Sequence, residues 1–232
     1  GVVPAYNLPG LSAPLRLTGT VIANIYQGKI SQWSDPALAA LNPGVKLPDI
    51  AITPAWRTDG SGTTHVWTNY LATQSPDFKT TIGTGKQVRW PVGQGGKGNP
   101  GVAAIVQQTP GALGYIEHNY AVANKLAYAS VQNREGKFVL ASHTSIAAAG
   151  AAANANLQGL RMSADLWNQP GAATYPIASF TYLITYLDMR QVKSEEEARA
   201  LAQFFWWAAH DGQKIAIEMG YAPLSPEVTK KV

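Results

Sequence analysis

Apolar and polar positions along this chain alternate between two spacings, one suited to strands and one to helices, which predicts an α/β class. Residues 2–8 form an extended segment that ends at Pro9-Gly10, and residues 15–17 a short strand. Residues 20–27 predict a helix stopped by Gly28, the residue type that most readily follows a helix end. Asp35-Pro36 combines an N-cap with proline at the first helical position, and Asn42-Pro43-Gly44 closes the helix that follows. Residues 50–56 read as a buried strand. Beyond it a glycine loop leads into a helix over 63–73, with Val66, Trp67, Tyr70 and Leu71 on its inner face.

The second half repeats these signals. Asn99-Pro100 is again cap plus proline, ahead of a helix with Val102, Ile105 and Val106 on one side, and residues 112–116 are another strand. Residues 128–132 and 137–140 flank Asn133-Arg134-Glu135-Gly136, which predicts a hairpin. The alanine-rich stretch 147–155 predicts a weakly amphipathic helix capped near Thr144 or Ser145, and 176–186 is a long β-rich run. Ser194-Glu195-Glu196-Glu197 is a capping box before a helix that aligns Ala198, Leu201, Ala202, Phe205 and Ala209. Alternation without a repeat or a flexible linker predicts two lobes joined by strands.

Composition narrows the function classes. Of 232 residues, 46% are hydrophobic and 14% charged, ample for a core and too little charge for a disordered chain. Apolar runs such as Phe204-Phe205-Trp206-Trp207-Ala208-Ala209 fall far short of the roughly 20 residues of a membrane span. The net charge is +4, but the basic residues are scattered, so a nucleic-acid partner is not expected. With no cysteine, disulfides and thiol-based metal or redox chemistry are excluded, which fits an oxidising compartment. His65, His118, His143 and His210 are too dispersed for a metal-ligand spacing. Tryptophans such as Trp33, Trp56, Trp90, Trp167, Trp206 and Trp207 are expected in core and lobe-interface packing, not on a sugar platform.

The sharpest chemical signal is Arg57-Thr58-Asp59-Gly60-Ser61-Gly62-Thr63, between a strand and a helix. A helix start presents unpaired N–H groups and the positive end of the helix dipole, which together attract anions. Gly60 and Gly62 allow close backbone approach, Ser61 and Thr63 add hydroxyl donors, and Arg57 adds a planar, charged fork. Asp59 fits as the partner that orients Arg57. The spacing alone leaves open a flexible turn in which Ser61 or Thr63 merely caps the helix. Ser61 with His65 raises a serine-nucleophile phosphate-ester hydrolase, but Gly60-Ser61-Gly62 is not the Gly-x-Ser-x-Gly elbow and no base or metal set accompanies it. Gly93-Gln94-Gly95-Gly96-Lys97-Gly98-Asn99 lacks the Gly-Lys-Ser/Thr ending of a nucleotide loop and reads as a tight loop into the next helix.

Several ordered stretches add a family to this reading: residues 1–10 (GVVPAYNLPG), Ile25-Tyr26-Gln27-Gly28-Lys29-Ile30 with Trp33, and Leu41-Asn42-Pro43-Gly44. The Arg57 loop, Val92-Gly93-Gln94-Gly95-Gly96-Lys97-Gly98-Asn99, residues 110–117 (PGALGYIE) and Gly220-Tyr221-Ala222-Pro223-Leu224 follow in order. Together they cover essentially the whole chain, which resembles the phosphate ABC-transporter substrate-binding proteins of PstS type. The resemblance implies a type II periplasmic binding protein fold, two α/β lobes joined by two crossover strands, with one lobe incomplete here. It implies a phosphate-binding lobe over residues 7–175, with 1–6 and 176–232 giving the crossovers and part of the second lobe. It further implies that Arg57, Ser61, Gly62 and Thr63 bind phosphate while Asp59 pairs with Arg57. The expected protein is a non-enzymatic receptor without metal or cofactor, periplasmic or on a bacterial cell surface. It would deliver inorganic phosphate, or alternatively another tetrahedral oxyanion, to a membrane ABC permease.

Family members begin with a further segment before the position matching Gly1, and it carries a signal sequence, much of the second lobe's sheet and the rest of the phosphate shell. The resulting expectation is that a second polypeptide supplies this segment or that the chain is a fragment. Residues 176–232 would then present an unpaired sheet edge and an uncovered apolar helix face.

Overall fold

Eight strands, ten α-helices and two short 3-10 helices (Asn154–Asn156 and Met189–Gln191) account for the regular structure in the computed structural model, which describes residues 1–11, 14–159 and 162–232. The strands are β1 (Val2–Tyr6), β2 (Arg16–Leu17), β3 (Thr53–Arg57), β4 (Gln94–Gly96), β5 (Ala112–Glu117), β6 (Ala127–Tyr128), β7 (Ser130–Gln132) and β8 (Phe138–Val139). The helices are α1 (Gly19–Tyr26), α2 (Pro36–Leu41), α3 (Gly62–Gln74), α4 (Pro76–Thr81), α5 (Gly98–Gln108), α6 (His118–Ala123), α7 (His143–Ala152), α8 (Glu195–Ala209), α9 (Gln213–Glu218) and α10 (Pro226–Thr229).

The main sheet has the order β4-β3-β5-β1-β6, and a small second sheet the order β2-β7-β8. β1 is buried at every position because β5 pairs antiparallel along its whole length while β6 takes its other edge at Ala5 and Tyr6. β4, β3 and β5 run parallel, so their C-terminal ends lie along one edge of the sheet, with Arg57 opposite Gly96. The buried apolar cluster extends from Val2 to Ala178 and centres on large rings, Tyr26, Trp33, Trp67, Tyr70, Tyr115 and Tyr175. Tyr26 fixes two strands at once, its hydroxyl lying 3.0 Å from the carbonyl of Ala55 and 3.1 Å from that of Leu113.

Most predicted elements are present, and the differences have local causes. The strand expected over 50–56 begins at Thr53 and continues to Arg57, because the partners on β4 and β5 start there. The expected loop at 93–99 contains β4, whose residues are Gln-Gly-Gly and carry no apolar pattern; the strand exists because β3 pairs with it. Its glycines are required by close contact. A Cβ on Gly96 would lie 2.5 Å from the backbone of Gly101, and Gly93 holds φ +95 against Pro54. Asn99 does not cap α5, which begins at Gly98 with Lys97 in the cap position. Ser142, not Thr144 or Ser145, caps α7, with Ser145 as the third-position partner of a capping box.

In the C-terminal part the expected strand and capping box are absent, while the uncovered apolar helix face expected there is present on α8. Residues 176–186 form no strand: Val2 N–H donates to Ile177 O (2.9 Å), and beyond Ala178 the β-rich run finds no ladder, leaving Ile184 88% and Leu187 77% exposed. Helix α8 forms as predicted with Ser194 as its cap, but Glu197 reaches the amide of Lys193 and closes no capping box. Of the aligned apolar face only Ala209 is buried. Trp206 and Trp207 are exposed, unlike Trp33 and Trp90 in the core. No helix among the described residues is long and apolar enough to cross a membrane.

Candidate functional site

The parallel strands β3 and β5 and the starts of α3 and α5 converge on the loop that follows Arg57. Ser61 is the N-cap of α3: its Oγ accepts from the amide of Thr64 (3.2 Å), and its own amide is anchored on Lys86 O (2.8 Å). Capping and anion binding are therefore compatible here. The cap uses a lone pair of Ser61 Oγ and leaves its hydroxyl proton, together with the amides of Gly62 and Thr63, at the first two helical positions where no intrahelical carbonyl is available. A Cβ at Gly62 or Gly60 would meet nothing within 4 Å, so the helix start faces open space.

Arg57 is the cationic residue of the loop and its side chain is 11% exposed. Nε donates to Asp59 Oδ1 (2.9 Å) and Nη2 to Oδ2, so the carboxylate grips one side of the guanidinium. The remaining nitrogen, Nη1, points to Thr63 Oγ1 at 3.5 Å. Asp59 Oδ1 also accepts from the amide of Gly98 (2.9 Å), which ties the start of α5 to the loop. Hydrogen bonds from Arg57 and then from Gly98 hold the Asp59 carboxyl well below the usual carboxylate range, while donation to Asp59 raises Arg57 further. The five residues singled out in sequence, Arg57, Asp59, Ser61, Gly62 and Thr63, thus lie in one loop, with Arg57 bridging Asp59 and Thr63.

Three further residues belong to the same arrangement. Tyr115 and Glu117 alternate along β5 and so share a face of the strand. The Tyr115 hydroxyl accepts from the amide of Arg57 (3.1 Å) and bonds Thr64 Oγ1 (2.8 Å), bracketing the loop at both ends. Burial raises the Tyr115 phenol, which keeps it protonated, and Trp67 stacks on its ring at 5.2 Å. Glu117 Oε1 accepts from Thr63 Oγ1 (3.3 Å) and from Asn99 Nδ2 (3.0 Å), and the amide of Glu117 donates back to Asn99 Oδ1 (3.3 Å). Reasoning from sequence missed all three roles, since Tyr115 and Glu117 lie more than fifty residues from their partners in the loop and are joined to it by the pairing of β3 with β5, while Asn99 reaches it through Glu117. The available signal was the presence of Asn99, Tyr115 and Glu117 inside ordered motifs.

The histidines supply no base for Ser61. His65 is exposed, bonded to Asn69 and edge-on to Trp167. His118 and His143, far apart in sequence, face each other with ring centroids 6.1 Å apart. No three His, Asp or Glu side chains among the described residues gather as a metal site.

A family model described as a PBP superfamily domain matches residues 1–209. The phosphate-binding protein PstS of Pasteurella multocida is 45% identical over 234 residues, covering 100% of this chain and 67% of the relative. That of Xylella fastidiosa is 42% identical, with 100% and 63% covered. Among solved structures, a high affinity periplasmic phosphate-binding protein (PfluDING) bound with phosphate superposes with a TM-score of 0.67 at 17% identity, over 99% of this chain and 67% of that one. The fold is the type II periplasmic binding architecture. The chain spans about two thirds of the length of these relatives, and each of them holds its further length in one chain, which lends no support to a separate companion polypeptide. The chain belongs to the PBP superfamily and, within it, to the PstS family.

Proposed function

We propose that this chain binds inorganic phosphate at the loop from Arg57 to Thr63, as part of a periplasmic or cell-surface receptor that passes phosphate to a membrane ABC permease. The single observation behind this reading is the Arg57–Asp59 pair, which leaves Nη1 directed at Thr63 in front of the helix start. Donors from Arg57, the Ser61 and Thr63 hydroxyls, and the Gly62 and Thr63 amides would each contribute about 1.5–3 kcal/mol to a charged ligand. Micromolar binding needs about 8 kcal/mol net, so five such donors supply a sum of the required order before the costs of association. The names and bound phosphate of the relatives support the same ligand.

The division into a binding lobe over 7–175, with 1–6 and 176–232 giving the crossovers and the C-terminal part of a second lobe, is part of the proposal. The buried apolar cluster supports only its C-terminal boundary, ending at Ala178, because residues 2–6 pack as β1 within the main sheet. The receptor reading excludes turnover, because Ser61 has no base beside it. Isothermal calorimetry should give saturable phosphate binding, with sulfate and arsenate as competitors to define the oxyanion, and a chromogenic phosphate ester should not be hydrolysed. Turnover lost in Ser61→Ala would replace the receptor reading with the hydrolase one.

Tyr115→Phe should lower phosphate affinity about fivefold to thirtyfold, because the Arg57 amide and the Thr64 hydroxyl lose a buried partner worth about 1–2 kcal/mol. Calorimetry on the variant checks this, and an unchanged affinity would show that the loop keeps its shape without the tyrosine.

A further inference from the structure

The Thr63 hydroxyl has one proton and two claimants. In the structure Thr63 Oγ1 lies 3.5 Å from Arg57 Nη1, a donor, and 3.3 Å from Glu117 Oε1, an acceptor, so its proton points to the carboxylate. An oxyanion held by the same hydroxyl needs that proton itself. Glu117 cannot turn aside freely, since Asn99, buried at the start of α5, bonds both its carboxylate and its amide.

We propose that Glu117 is a positioning residue that acts through Thr63 as an internal competitor of the ligand: it sets the rotamer of the hydroxyl and lowers the affinity of the site. This deepens the phosphate reading and rests on it. When phosphate engages Thr63, the hydroxyl proton turns from Glu117 Oε1 to a phosphate oxygen, Arg57 Nη1 follows the same anion, and Glu117 retains Asn99 as its donor. No proton leaves its oxygen in this exchange. The carboxylate loses one hydrogen bond and gains a like-charged neighbour, and both changes oppose binding. The arrangement favours release, as a delivery function requires.

Glu117→Gln keeps the shape and an oxygen for Asn99 but weakens the claim on Thr63 and removes the charge. Calorimetry with inorganic phosphate on the wild-type chain, Glu117→Gln, Thr63→Val and the double variant forms a closed cycle. The expected result is binding about threefold to tenfold tighter in Glu117→Gln, from a hydrogen-bond difference of the usual size. In the Thr63→Val background that gain should shrink by about half or more, since the two residues are coupled. A merely structural role for Glu117 predicts weaker binding and no dependence on Thr63. A second measurement avoids substitution altogether: the side-chain amide resonances of Asn99 should move when phosphate is titrated into the wild-type chain.

Wild-type binding with unchanged or weakened affinity in Glu117→Gln, or Asn99 resonances that stay in place at saturation, would overturn the assignment. Absence of binding by all four proteins would overturn the phosphate reading itself, and this inference with it.

Discussion

Arg57→Ala should weaken phosphate binding by about 3–5 kcal/mol, a loss of more than a hundredfold, because a desolvated anion loses its main charge partner. Two effects add. The ligand loses the donor at Nη1, and Asp59 is left without the guanidinium that now neutralises it, so a carboxylate faces the incoming anion. Arg57→Lys should recover only part of the loss. Lysine keeps the charge, but it cannot grip Asp59 with two nitrogens while directing a third to Thr63. Calorimetry on the three proteins measures this directly, and an unchanged affinity in Arg57→Ala would move the site elsewhere.

The same pair sets a pH expectation. Asp59 has its folded-state pKa depressed by the bonds from Arg57 and Gly98. Its contribution is therefore fully present above the unfolded value of about 4, and it is lost only as pH falls below that value toward the folded one. The orientation of Arg57 should thus persist through mildly acidic conditions. Any fall in affinity there reflects titration of other groups or of the ligand.

Trp33→Ala should cost about 3–5 kcal/mol of folding stability, the usual range for removing a buried tryptophan. The ring is fully buried, packs on Tyr6 at 6.1 Å and donates from Nε1 to Gly111 O (3.0 Å). Its amide also donates to Ile50 O (3.0 Å), so this one residue ties the segment entering β3 to the segment entering β5. Truncation leaves a cavity and a carbonyl without its donor, and the strands that carry Arg57 and Glu117 lose a common anchor. Trp206→Ala makes the contrast: at 63% exposure the change should stay within about 0.5 kcal/mol. Urea unfolding midpoints of both variants check the pair, and a stable Trp33→Ala protein would show that the frame does not depend on this ring.

Legibility in the sequence followed the range of the interaction involved. Asp35-Pro36 and Ser194 start helices where expected because a cap acts over two or three residues. The Arg57–Asp59 pair was legible for the same reason, as its members are two residues apart. β4 was not, since three residues without an apolar pattern become a strand only when β3 lies beside them. The β-rich run at 176–186 failed in the opposite way. Its residues favour a sheet, but a strand needs a neighbouring ladder, and beyond Ile177 it has none. Trp206 and Trp207 show that an apolar residue type does not specify burial when no surface packs against it.

By itself the sequence determined the strand–loop–helix unit around Arg57, its donors, and the ordered motifs that place the chain in its family. Each of these is a property of residues adjacent in the chain or of their order. Only the tertiary structure decided that Tyr115 would bracket the loop, that Asn99 would leave its capping role to hold Glu117, and that Glu117 would take the Thr63 proton. Those contacts join residues 18 to 58 positions apart, and a hydrogen bond depends on distance and direction at the scale of an ångström. Strand pairing and the packing of α5 fix both for these residues, and no local spacing encodes them.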